Sequence, residues 1–143
     1  ARKQTEDTVI FGVYLVDIFC LGVKDAYWKS DITLKQFTRQ LPMLCAEEPE
    51  QCEVSLAHEL IYGSIEYARK FGFEPHPDYA RASLVLDPPD KHPRKHHVTF
   101  GQDGKPLFVA GPHDNAEKIY HKLMQTAGEG NFNYLVGIEG LEE

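Results

Sequence analysis

Apolar side chains dominate the segment 13–25, which is rich in β-branched and aromatic residues. A run of this length and composition predicts a buried central strand, and the wider span 9–23 supplies one or two strands. The run contains Asp17, and a buried carboxylate is costly unless it is paired, hydrogen-bonded or protonated. We therefore predict that Asp17 is buried and hydrogen-bonded, either as a polar anchor or as a working group.

Three helices are predicted downstream from apolar residues that recur at helical spacing. Asp31 or Thr33 is the predicted cap of the first helix, and Pro42 breaks or kinks it. Ser55 and Gly72 mark the two ends of the second helix, and Asp114 or Asn115 and Gly128 mark those of the third. The second helix has the broadest apolar face. Gly72 is placed where a left-handed C-terminal cap is expected.

The remaining strands are short and are separated by turn residues. The span 98–109 predicts a hairpin, because Asp103-Gly104 is a favoured tight-turn pair. Segments 84–86 and 131–137 predict two more strands. Hairpins mixed with helices favour a single α+β domain with a mainly antiparallel sheet packed against about three helices. The predicted core consists of Val16, Phe19, Leu60, Ile61, Tyr67, Phe100, Val109, Ile119 and Leu123.

Composition narrows the possible partners. The 143 residues carry 15 basic and 22 acidic side chains, giving a net charge of −7. This balance disfavours nucleic acid as a partner. No apolar run is long enough to span a bilayer, so no membrane partner is expected. Three irregularly spaced cysteines argue against a disulfide framework and predict a cytoplasmic location. The chain begins at Ala1 without an initiator methionine, from which we expect a truncated or processed N-terminus.

Five residues are candidates for chemistry. Asp17, Lys24 and Asp25 lie on or just after the predicted core strand, and strand ends often position site residues. The alternative for Lys24 and Asp25 is a surface ion pair. Prolines on both sides of His76 stiffen its backbone and hold Asp78 nearby, which suits proton transfer or metal ligation. The alternative is a loop that docks the second helix on the sheet.

Other combinations are weaker. Cys20 needs a basic neighbour to act as a nucleophile, and a buried inert thiol explains it equally well. His58-Glu59 is not the HExxH motif, because Tyr62 occupies the second histidine position. The histidines at 92, 96 and 97 resemble metal ligands, but no cysteine lies near them and a solvated loop is the simpler interpretation. The sequence identifies no metal and no cofactor.

The chain resembles a family of uncharacterised bacterial proteins. The likeness rests on the run LVDIFCLGVKD at 15–25, on AHELIYG and GFEPHPDY within 57–79, on FGQDGKP and GP within 100–112, and on GEGNF at 128–132. It covers most of the chain. The resemblance implies a bacterial lineage and carries no activity, cofactor or partner with it.

Two functions remain open, and whether the protein is an enzyme is not decided by the sequence. The first is a noncatalytic accessory or protein-interaction domain of a bacterial cytoplasmic protein, because no complete catalytic signature is present. The second is a hydrolase, metal-dependent and acting on phosphoesters, that uses Asp17, Asp25, His76 and Asp78. Convergence of these side chains in one cleft would favour the hydrolase.

Overall fold

The computed structural model describes residues 1–135. Its elements in chain order are β1 (Arg2–Lys3), β2 (Thr8–Asp17), β3 (Gly22–Thr33), α1 (Leu34–Leu44), α2 (Val54–Arg69), α3 (Tyr79–Ala82) followed by a 3₁₀ turn (Ser83–Val85), β4 (Leu107–Val109), α4 (Ala116–Thr126) and β5 (Asn133–Leu135). The predicted α+β class is confirmed. None of the helices in this part of the chain has the length and apolar character needed to cross a membrane.

The first sheet is a long antiparallel hairpin with a short flanking strand. Strands β2 and β3 pair from Asp17–Gly22 at the turn to Thr8–Thr33 at the open end, and β1 adds to the outer side of β2. The apolar segment 13–25 is therefore not one central strand, because it reverses direction within four residues. Of the one or two strands predicted over 9–23, the structure has two. Gly22 has a positive φ of 71°, the left-handed geometry that glycine adopts without steric cost.

Helix α2 covers one face of this hairpin. Buried side chains from β3, α2 and α3 form a common cluster: Val23, Ala26, Ile61, Ile65 and Ala82. The N–H of Phe73 donates to the carbonyl of Ala68, and that of Gly72 donates to Arg69. These two bonds form a Schellman motif, and Gly72 has the expected positive φ. The predicted cap Ser55 is wrong, because Glu53 is the N-cap residue and it makes no side-chain cap.

Helix α1 covers only part of the opposite face. Thr33 begins it with a capping box, its hydroxyl accepting from the N–H of Gln36 while the Gln36 side chain accepts from the N–H of Thr33. Pro42 lies inside the helix and does not end it. The ring of Phe37 packs 5.1 Å from that of the buried Phe11. Farther along the same face Leu15 is 59% exposed, because α1 does not reach it.

A second, smaller core lies under α4. Strands β4 and β5 pair in parallel, and α4 connects them. Asn115, one of the two predicted cap residues, caps α4 by accepting from the N–H of Lys118. The buried residues of this core are Cys20, Leu21, Phe108 and Leu123. The predicted strand 131–137 is found in part as β5, and its last two positions lie outside the described residues.

The predicted turn at Asp103-Gly104 is confirmed, whereas its flanking strands are not. Asp103 and Gly104 have φ values of 54° and 77°, as a type I′ turn requires. The bonds across it stop at a single bridge between Gln102 and Lys105. Strand β4 pairs with β5 instead, because Phe108 is drawn into the core under α4. Segment 84–86 is also not a strand, since residues 83–85 form the 3₁₀ turn.

The predicted core is confirmed in part. Ile61 and Leu123 are buried. The prediction that Phe19 and Val109 are buried was wrong. Phe19 lies at the hairpin turn and is 40% exposed, and Val109 lies on the two-stranded sheet and is 52% exposed. The remaining predicted positions are half-buried: Val16, Leu60, Tyr67, Phe100 and Ile119.

Candidate functional site

Asp17 organises the turn between β2 and β3. Its carboxylate accepts hydrogen bonds of 2.9 Å from the N–H groups of Phe19 and Leu21. The side chain is half-buried and hydrogen-bonded, in the manner of a polar anchor. The carboxylate that was a candidate for chemistry is thus hydrogen-bonded to two main-chain N–H groups.

Replacing Asp17 with alanine is expected to lower the free energy of unfolding by about 1.5–3 kcal/mol, as the loss of hydrogen bonds to a charged acceptor does. Asp25→Ala is the matched control and should cost less than half as much, because its carboxylate accepts one main-chain hydrogen bond and its side chain is 65% exposed. Urea denaturation of both variants provides the measurement. Equal losses would show that Asp17 does not hold the turn.

Lys24 does not pair with Asp25. Its ammonium group lies 2.9 Å from the carboxylate of Asp114, which also accepts from the N–H of Gly111 at the entrance to α4. This ion pair joins the first sheet to the second core. The strand register explains it: a bulge in β3, opposite Leu15 and Val16, leaves Lys24 without a partner in β2.

Asp25, His76 and Asp78 meet at the edge of β3. The N–H of His76 donates to the carbonyl of Val23, which fixes the proline-flanked loop against the strand. The imidazole Nε2 lies 3.9 Å from Asp25, and Nδ1 lies 3.8 Å from the Asp78 carboxylate. One oxygen of each carboxylate and a ring nitrogen all lie within 4.8 Å of one another. Three of the five sequence candidates are thus brought together.

The hydrogen bond to His76 decides which ring nitrogen carries the proton. The main-chain N–H of Asp78 donates to Nδ1 at 3.1 Å, so that nitrogen is an acceptor and the neutral ring carries its proton on Nε2. Metal-bound histidines usually donate their second N–H to an acceptor. A metal bound to Nε2 would take the lone pair of that nitrogen while Nδ1 still accepts its hydrogen bond, so the ring would have to lose its only proton. This geometry therefore favours hydrogen bonding over metal binding.

A groove runs beside this cluster along the outer edge of β3. It encloses about 430 Å³ between Ala26–Trp28 on one side and Pro77, Asp78, Ala80 and Arg81 on the other. Trp28 is 37% exposed. This wall was not predicted from the sequence, because the predicted strands ended at residue 23, whereas β3 continues to Thr33. The run from Ala26 to Ser30, with two aromatic residues before a charged one, would have indicated that the strand continues.

Cys20 is an inert thiol. It is fully buried, and burial, with the carboxylates of Asp17 and Asp114 nearby, raises the pKa of the thiol to about 12. A nucleophilic cysteine requires the opposite shift, since the thiolate is the reactive form.

A buried polar network ties the loop 87–98 to α2. Glu59 is buried, and its carboxylate accepts from the N–H groups of His96 and Val98. His58 has both ring nitrogens engaged, Nδ1 with the carbonyl of Val54 and Nε2 with the N–H of Asp87. The solvated-loop interpretation is thus confirmed in part, since most of residues 88–97 are exposed, whereas His92 and His96 are half-buried in the network.

The same network includes a second group of possible metal ligands. The Nε2 of His92 lies 2.7 Å from the Asp87 carboxylate, and the rings of His58 and His92 lie 4.6 Å apart. Because the Nε2 lone pair of His58 already accepts from a main-chain N–H, this group is satisfied without a metal ion. Its arrangement is that of an anchor for the loop.

This network makes stability depend on pH. Hydrogen bonds from Val98 and His96 hold the pKa of Glu59 below its ordinary 4.5, and the bond from His92 holds the pKa of Asp87 below 3.8. A carboxyl group whose pKa is lower in the folded than in the unfolded protein stabilises the folded state. This contribution is fully present above the pKa of the unfolded protein and is lost as the pH falls through the pKa of the folded protein. The melting temperature should fall between about pH 5 and pH 3, and less steeply in Glu59→Gln. Parallel pH profiles of the two proteins would contradict this assignment.

Comparisons with protein families, with characterised proteins and with solved structures found no match to this chain. The resemblance to a bacterial family stays a prediction. Function is therefore inferred from the geometry of the groove and its surroundings.

Proposed function

We propose that this protein is a noncatalytic interaction domain that binds a protein partner in the groove beside β3. The observation that carries the proposal is the open edge of this strand. Strand β3 is 12 residues long and, among the described strands, pairs with β2 alone. An exposed strand edge presents unpaired N–H and C=O groups and acts as a template for another chain. Trp28 adds an aromatic side chain of the kind enriched in protein interfaces.

The chemistry of the chain supports a cytoplasmic location for such a domain. All three cysteines are unpaired, and two of them, Cys45 and Cys52, are exposed. Exposed free thiols fit a reducing compartment. The net charge of −7 favours a protein partner over nucleic acid.

The alternative is a metal-dependent hydrolase acting on phosphoesters, and the convergence of Asp25, His76 and Asp78 is the observation that favours it. Three features favour the interaction domain instead. Asp17 is engaged in its turn, Lys24 is paired with Asp114, and Nδ1 of His76 accepts from a main-chain N–H. The two carboxylates are also mostly exposed, whereas catalytic groups gain from a site that excludes water.

Site-specific photo-crosslinking in host cells tests the interaction. A photoreactive residue at Arg81, which lines the groove, should form protein adducts that the same residue at Gln125 on α4 does not form. Trp28→Ala in the same chain should reduce these adducts, because it removes one wall of the groove. Adducts that form equally from both positions would contradict the proposal.

Hydrolysis of p-nitrophenyl phosphate with Mg²⁺, Mn²⁺ or Zn²⁺ tests the alternative. We expect the same background rate in wild type and in His76→Ala. A metal-stimulated rate that His76→Ala abolishes would replace the interaction domain by the hydrolase.

A further inference from the structure

We infer that the partner binds this groove as an extended peptide segment that carries a lysine or arginine and adds as a strand to β3. This inference rests on the proposed binding function and specifies the chemistry of the partner. It is supported by three observations: the direction of the β3 main-chain groups, the walls of the groove and the charges at the end of the groove.

The main chain of β3 offers hydrogen bonds toward the groove. The N–H of Ala26 donates to the carboxylate of Asp25 at 2.8 Å, so it faces away from β2. Alternate residues of a strand direct their main-chain groups to the same side. Trp28 therefore presents both its N–H and its C=O outward, and a partner strand can pair with both. The loop bond from His76 to Val23 limits this pairing to the part of β3 beyond Ala26.

The walls of the groove suit alternating side chains. Trp28 and Ala26 form the strand side, and Pro77 and Ala80 form the opposite side. A peptide that adds to a sheet edge gains affinity from main-chain bonds and specificity from pockets for every second side chain. A groove between an edge strand and a short helical segment provides both. An extended chain is thus a better fit than a flat protein surface.

Two carboxylates define the charge of the partner. The side chains of Asp25 and Asp78 are 65% and 67% exposed, and their nearest oxygens lie within 4.8 Å of each other. Among the described residues, no lysine or arginine forms an ion pair with either. His76 between them is a hydrogen-bond donor through Nε2. A cationic side chain placed between the two carboxylates would relieve their repulsion and gain charge-assisted hydrogen bonds.

One positive charge already lines the groove. Arg81 belongs to the same wall as Asp78, while Lys24 is neutralised by Asp114. The two carboxylates outnumber Arg81, so the local balance remains negative. Trp28 also offers a ring face that attracts cations. Both features favour lysine or arginine in the bound segment.

The experiment uses a phage-displayed library of random decapeptides selected against the full chain, followed by synthesis of the enriched peptides. Trp28 is the only tryptophan of the protein, so its fluorescence reports binding at the groove directly. We expect enriched peptides to contain lysine or arginine and to change the Trp28 emission. N-methylation of alternate peptide residues should weaken binding, because it removes main-chain donors.

The deciding variant is Asp25→Asn with Asp78→Asn, which preserves side-chain size and removes both charges. It should raise the Kd of the enriched peptides by about tenfold or more. The matched control is Glu117→Gln with Glu129→Gln, which removes the same charge from exposed positions elsewhere and should change the Kd less than about twofold. Far-ultraviolet circular dichroism of both variants checks that they fold.

The possible outcomes separate the two proposals. The first outcome is that the enriched peptides change Trp28 emission, lack basic residues and bind the Asn variant with unchanged Kd. This result would contradict the inference of a lysine or arginine in the partner and would leave the proposed interaction domain unaffected. If the enriched peptides bind without altering Trp28 emission, the groove is not the binding site, and both the proposed function and this inference are contradicted. A third outcome is a concentration-dependent dimer in sedimentation that Trp28→Ala abolishes. It would show that a second copy of the chain pairs with the open edge of β3 and would contradict a peptide partner.

Discussion

Replacing Phe108 with alanine is expected to lower the free energy of unfolding by about 3–5 kcal/mol. The side chain is fully buried at the junction of β4, β5 and α4, with its ring 5.6 Å from that of Tyr134. The variant loses the transfer free energy of the ring and leaves a cavity that the surrounding elements fill only partly. This is a large share of the roughly 5–15 kcal/mol that stabilises a typical domain. Urea denaturation followed by circular dichroism measures it.

Phe19→Ala is the matched control for this prediction. The same side chain is removed at the turn between β2 and β3, where it is 40% exposed. Its cost should be less than half that of Phe108→Ala, since less apolar surface returns to water. If the two variants lose equal stability, the small core under α4 does not contribute as its burial indicates.

Gly22→Ala is expected to cost about 2–5 kcal/mol, because two penalties act together. The residue has a φ of +71°, which disfavours any Cβ. A Cβ built there would also lie 2.9 Å from the carbonyl oxygen of Ser64 and 3.2 Å from the Cβ of Ala68. Both neighbours belong to α2, so the helix would have to move away from the start of β3. Thermal and urea denaturation report the loss.

Gly104→Ala separates the two penalties. Its φ of +77° is nearly the same, but no atom lies within 4 Å of the added Cβ. Only the backbone penalty of about 1–2 kcal/mol should remain. A Gly22→Ala variant no less stable than Gly104→Ala would show that α2 does not pack against Gly22 as closely as described.

Part of the candidate site was predictable from sequence. Asp25, His76 and Asp78 were selected because polar groups beside strand ends and prolines often gather in sites. The groove wall was not predicted, since the predicted strands ended at residue 23, whereas β3 starts at Gly22 and continues to Thr33. A glycine marks a change of backbone direction but does not tell whether the chain stops or turns back.

The partner of Lys24 was beyond sequence reasoning for a different reason. Asp25 is its neighbour in the chain, yet its ammonium group pairs with Asp114, 90 residues away. The bulge in β3 and the position of α4 create this pair together. Neither is encoded in the residues around Lys24.

The sequence by itself determined local features of this protein: helix caps narrowed to Asp31 or Thr33 and to Asp114 or Asn115, the left-handed Gly72 and the turn at Asp103-Gly104. Each depends on hydrogen bonds or steric limits within a few residues. Tertiary structure alone decided the parallel pairing of β4 with β5, the meeting of His76 with Asp25, and the open edge of β3. These depend on which distant surfaces bury the most apolar area together, and short-range patterns carry no information on that choice.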